Sequence, residues 1–186
     1  MIDIPSLWLP ILLSGVLVWI TSLIVWAVLP YHRSDYKKVP DEGALRAALQ
    51  PQDLPPGQYN VPHLVSRSEM GGPEGQAKFT AGPVAFITVL PKRVPSPTKG
   101  LVISFVYYLL MSAVIAYVAT RTLNAETPSY LVLQVTGTVA WLGYGTAVVT
   151  DAVWFGRPWK SVLKTLLDAF IFGLVTGGVF VWLWPG

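Results

Sequence analysis

The sequence predicts an all-α membrane protein: four transmembrane helices, with a cytoplasmic Pro/Gly-rich insert after the first that carries a short helix and a small two-stranded element. Three observations predict it. Of 186 residues, 53% are hydrophobic and only 12% are charged, whereas an ordinary soluble domain has about a quarter of its residues charged. Four apolar runs have the length a bilayer-crossing helix needs. The basic residues gather beside those runs, almost all on one side of the resulting four-span scheme.

The first run, residues 6–29, reads SLWLPILLSGVLVWITSLIVWAVL, and about 20 such residues suffice to cross roughly 30 Å of hydrocarbon. A signal peptide would open on basic residues; here MIDIP comes first and the charge follows in YHRSDYKK, so residues 1–29 read as an uncleaved anchor helix. Pro10 falls in the first turns, where a missing amide hydrogen costs least, and Pro30 closes the run.

Residues 30–100 form the insert, with most of the sixteen prolines and nine of the thirteen Lys and Arg. Pro40-Asp41-Glu42 before GALRAALQ predicts a short helix, with Asp41 as its cap, Glu42 at the positive end of its dipole and Pro51 as its stop. The β-branched and aromatic content near residues 59–65 and 84–90 predicts two strands, and Pro62 confines the first to an edge. Gly71-Gly72-Pro73-Glu74-Gly75 reads as loop punctuation. So short and proline-rich a segment has little core of its own and is expected to lean on the spans or on another protein.

Residues 101–186 supply the other three helices. The second run covers residues 101–120, and RTLNAETPSY then makes a polar turn whose Pro128-Ser129 suits a helix start. The third, residues 130–153, carries Thr136, Gly137, Thr138, Gly143, Gly145, Thr146 and Thr150, which suits a helix packed on neighbours. DAVWFGRPWKSVLK is the turn before the fourth run, residues 161–184, where Gly173 and Gly177 give the small-xxx-small spacing of close helix packing.

Arg33, Lys37, Lys38, Arg46, Lys92, Arg93, Lys99, Arg157, Lys160 and Lys164 fall at one face, and Arg121 at the other. The positive-inside rule then puts the insert in the cytoplasm and both termini outside it. A net charge of +3 is explained by these flanks, so no nucleic-acid partner is expected. With no cysteine, disulfides, iron–sulfur clusters and thiolate metal sites are excluded.

YHRSDYKKVPDE, PGQYNVPHL, GPVAFITVLP and DAVWFGRPWK, in that order along the whole chain, resemble the blocks of a family of uncharacterised bacterial four-span inner-membrane proteins. The resemblance implies a bacterial inner-membrane location and a folded insert. It transfers no activity, cofactor, partner or site residue.

Asp168 is the most suggestive polar residue, because a carboxylate inside a span is a functional candidate unless paired or hydrated. The structural reading is favoured: Lys164, one turn earlier, reaches it at i,i+4 near the headgroups. Asp151 with Arg157 is expected as a second pair, across the turn. Arg33, Lys37 and Lys38 follow the first span as candidate headgroup contacts, each basic residue contributing about 1 kcal/mol at an anionic surface. His32, His63 and Met70 invite a copper site, but their spacing lacks convergence and favours interfacial or loop-stabilising histidines. Tryptophans such as Trp8, Trp26, Trp154, Trp159, Trp182 and Trp184 stand near span ends and are expected in the interfacial belt.

No nucleophile set and no phosphate-binding glycine loop is present, so neither catalysis nor a cofactor is called for. The reading that uses most of the sequence is an accessory or scaffold component of a membrane assembly, its partners the lipid bilayer and a second copy or another membrane protein. The alternative is a small transporter or channel subunit built on an intramembrane carboxylate. A shared hydrated cavity for Asp168, Thr146, Thr150 and Asp151 would favour the alternative.

Overall fold

Apolar side chains at every position around a helix leave only burial or lipid as its surroundings, and four segments have this character over a membrane-crossing length: Pro5–Val28, Pro97–Thr122, Ser129–Phe155 and Trp159–Trp182. The structure is a computed structural model and describes residues 2–94 and 96–186. The chain divides into two units, one of Met1–Tyr36 with Ser96–Gly186 and the other of Lys37–Pro95.

In chain order the regular elements are α1 (Trp8–Leu23), α2 (Glu42–Leu49), β1 (Gly57–Val61), α3 (Arg67–Gly71), α4 (Pro73–Ala81), β2 (Ala85–Val89), α5 (Pro97–Thr122), α6 (Ser129–Gly145), α7 (Val148–Phe155) and α8 (Trp159–Trp182). A mostly helical chain with one small sheet is what the apolar runs and the insert predict.

The first unit is a bundle of α1, α5, α6 and α8. Prolines punctuate it: Pro97 opens α5, Pro128 precedes α6 and Pro158 precedes α8, each where a missing amide hydrogen leaves no intrahelical bond unmade. The third span is not one continuous helix. It breaks after Gly145 and resumes as α7, which ends at Gly156 in a left-handed conformation, φ 69°, a position that favours glycine because other residues meet a Cβ clash there.

Glycines set how closely the helices approach. A methyl group on Gly173 of α8 would lie 2.8 Å from the Gly137 carbonyl oxygen of α6, and one on Gly177 would lie 2.7 Å from Leu133 Cδ1. The Gly173/Gly177 spacing therefore serves α6–α8 packing within one chain, where the missing side chains let two backbones come close enough to gain dispersion energy. Toward one end, Leu7, Ile115, Ala116, Val132, Ala140 and Phe180 form an apolar core. Nearer the other, Val18, Val25 and Phe172 pack with Tyr31, Tyr108 and Tyr144.

The second unit begins with α2, capped as expected: Asp41 Oδ1 accepts the Ala44 amide hydrogen at 2.8 Å. β1 and β2 pair antiparallel with Gly57 opposite Val89, Tyr59 opposite Ile87 and Val61 opposite Ala85. The first strand starts two residues earlier than its composition suggests and stops at Val61, just before Pro62, whose missing amide cannot extend a ladder. Gly71 to Gly75 is corrected: these residues are a helix junction rather than open loop. Ser66 Oγ caps α3 by accepting the Glu69 amide hydrogen at 3.1 Å, Gly72 separates the helices, and Pro73 sits in the first turn of α4. None of the buried hydrophobic residues lies between Lys37 and Val94.

Candidate functional site

The first span ends in a way that matters for chemistry. Its last turn, Ile24–Val28, is a π-helical turn in which the Leu29 amide donates to Ile24 O at 2.9 Å. Pro30 then forces the chain into a 3-10 turn, Pro30–Asp35, where residues three apart stand on one side. His32 and Asp35 are such a pair, and Asp35 Oδ2 lies 2.7 Å from His32 Nδ1. The Trp26 ring, carried by the π turn, stacks on the imidazole at 3.8 Å with an interplanar angle of 5°.

α8 supplies the other half. Ser161, Lys164 and Asp168 recur at three- and four-residue spacing and so share a face. Asp168 Oδ2 lies 2.8 Å from His32 Nε2. The Lys164 ammonium donates to Asp35 Oδ1 at 2.7 Å, to Ser34 Oγ at 2.8 Å and to the Tyr31 carbonyl. His32 is 4% exposed and Asp168 2%, so water contributes little to holding these charges. Burial alone would push the Asp35 carboxyl up, but hydrogen bonds from Lys164, His32 and Ser161, with the Lys164 charge, outweigh it and hold the group down at about 2.

The expected Lys164–Asp168 pair is therefore corrected. Lys164 turns to the 3-10 turn, where three acceptors converge on its ammonium group, and Asp168 is taken by His32 instead. His32 is corrected with it: it is the buried centre of a His-Asp-Asp-Lys cluster joining the end of the first span to the fourth. Asp35, Ser34 and Tyr31 join this cluster, residues that the sequence marks only as part of the YHRSDYKK segment after the first span. A signal for them existed, since a lone acid inside a span requires a partner and His32-x-x-Asp35 directly follows the proline that ends another span.

The remaining candidates lie elsewhere. Arg157 Nη1 stands 3.8 Å from Asp151 Oδ2 with half the carboxylate side chain exposed, a geometry in which solvent screening leaves little net attraction. Arg157 also donates to Thr165 Oγ1 at 3.1 Å. Thr150 and Asp151 are exposed and Thr146 is half-buried, while Asp168 is buried. Arg33, Lys37 and Lys38 are exposed. His63 bonds to Asn60 Oδ1 at 2.8 Å through Nδ1. Among the described residues no group of three His, Asp or Glu is placed to hold a metal ion, and both His32 nitrogens are already engaged by carboxylates.

Two of the tryptophans have partners within the chain. Trp26 covers the imidazole, and Trp184 donates its indole hydrogen to the Asn124 carbonyl at 3.1 Å, tying the end of the chain to the turn between α5 and α6. No protein-family model, no curated protein and no solved structure matches this chain, so the resemblance to bacterial four-span proteins gains no support from them.

Proposed function

We propose that this is a multi-pass protein of the bacterial inner membrane, with both termini outside the cytoplasm and the insert inside it, acting as an accessory or scaffold component of a membrane assembly. The observation that carries the reading is the unit Lys37–Pro95. It has three helices and a paired sheet, yet its apolar side chains Val61, Met70, Phe79 and Val84, which line one groove, are exposed. Contiguous apolar surface of that kind is covered by a partner in a working assembly. The gathering of basic residues at one set of span ends supports the orientation.

The test is purification at native abundance in mild detergent. The expected result is an oligomer or a complex with a second membrane protein, dissociated by Phe79→Asp. A strictly monomeric protein that copurifies with nothing overturns the reading.

A small transporter or channel subunit is the second reading, favoured by one observation: Asp168 is a buried carboxylate whose Oδ1 has no hydrogen-bond partner. Ion flux in proteoliposomes that disappears with Asp168→Asn would establish it.

A further inference from the structure

We propose that Asp168 Oδ1 is a proton-binding atom, making the buried His32–Asp168 pair a site whose ligand is a proton. His32 Nδ1 and Asp35 Oδ2 are 2.7 Å apart, and His32 Nε2 and Asp168 Oδ2 are 2.8 Å apart. Each contact is a hydrogen bond at that distance and holds one proton. With both protons on the ring, imidazolium faces two carboxylates. With the second moved from Nε2 to Oδ2, a neutral imidazole faces a neutral acid. The triad carries one negative charge either way, and the Lys164 ammonium 2.7 Å from Asp35 brings the cluster to zero.

A further proton has one vacant acceptor in this cluster. Asp35 Oδ1 and Oδ2 accept from Lys164 and His32, and Asp168 Oδ2 faces Nε2. Asp168 Oδ1 is buried and without a partner, and such a group is expensive to leave unsatisfied. Placing the proton there breaks nothing: Nε2 still donates to Oδ2, which becomes the carbonyl oxygen of the acid, and the cluster moves from zero to one positive charge.

The surroundings favour binding over passage. Lys164 and Ser34 give the cluster its contact with the outside, the Lys164 side chain being 22% exposed. In the opposite direction α8 presents Phe172 and then Thr176. Tyr144 packs on Phe172 at 6.1 Å, and its hydroxyl and Thr176 are enclosed beside it. Beyond them the apolar cluster of Leu7, Ile115 and Phe180 closes the bundle. The titratable groups facing the site are Asp35 and Tyr31 from the 3-10 turn, Lys164 from α8, and Tyr108 and Tyr144 from α5 and α6; the first span contributes Trp26, which does not titrate.

This inference goes beyond the accessory reading and stands or falls separately from it, since a titration is blind to what the protein assembles with. The chain has two histidines, so nitrogen-labelled histidine in the full-length His63→Gln protein reports His32 alone. Infrared difference spectra of the native chain in nanodiscs report carboxyl protonation. As pH is lowered, a carboxylic-acid carbonyl band is expected to grow, to be lost in Asp168→Asn, and to share its midpoint with the His32 nitrogen shifts while Nε2 keeps its proton. Carbon-labelled aspartate reads the same carboxyl with no substitution at the site, should Asp168→Asn fail to fold. Absence of any band attributable to Asp168, or a His32 signal that does not move with it, overturns the proposal in favour of a static ion pair.

Discussion

His32 Nε2 and Asp168 Oδ2 lie 2.8 Å apart although 136 residues separate them. The pair joins the end of the first span to the interior face of the fourth, and removing His32 leaves Asp168 buried and uncompensated. His32→Ala is expected to destabilise the bundle by about 3–5 kcal/mol, read as a loss of thermal stability in detergent. His32→Phe with Asp168→Leu is expected to recover much of that loss, because apolar side chains of similar volume need no compensation. Equal stability of the single variant and the parent would show that the pair carries no load.

Acid sensitivity follows from Asp35. Its carboxyl is depressed from an ordinary 3.8 to about 2, so the folded chain holds the ionised form more strongly than the unfolded chain. The stabilisation is fully present above the unfolded value and is lost as pH falls through the folded one. Thermal stability is expected to decline between about pH 4 and pH 2, and Asp35→Asn should be less stable at neutral pH and flatter across that window. An Asp35→Asn protein that keeps the parent's acid profile would assign the decline to another group.

The packing of α6 on α8 gives a paired comparison. Gly173→Leu forces a side chain toward the Gly137 carbonyl and is expected to cost about 1–3 kcal/mol. Gly178, one residue past the packed Gly177, meets nothing within 4 Å, so Gly178→Ala is expected to leave stability unchanged or slightly raised. Similar melting temperatures for both variants would contradict the close approach.

Because the chain has no cysteine, single introduced cysteines are clean reporters of sidedness. Ser68→Cys in α3 is expected to react with a membrane-impermeant maleimide only from the cytoplasmic face. Glu126→Cys, in the turn between α5 and α6, is expected to react only from outside. The opposite pattern would invert the orientation and remove the cytoplasmic placement of the insert.

Membrane-length helices, their proline boundaries, the Asp41 cap and the two paired strands were legible in the residues, because each depends on neighbours within a turn or a strand of itself. Asp168 stood out for the same local reason, as a carboxylate in an apolar run. Its partner was not legible, since i,i+4 spacing makes Lys164 the nearest cation along the chain and gives no hint of a histidine beyond another helix.

By itself, then, the sequence determined composition-driven facts: which segments suit lipid, roughly where they lie, and which of their ends collect charge, although α5 starts at Pro97 and the third run breaks after Gly145. Only the tertiary structure decided that Lys164 turns away to the 3-10 turn, that His32 is buried under Trp26, and that Asp168 keeps one oxygen unpaired. Those outcomes depend on which helix faces which, and competing partners for one charged group differ by only a few kcal/mol, a difference that distance and burial settle and spacing along the chain does not.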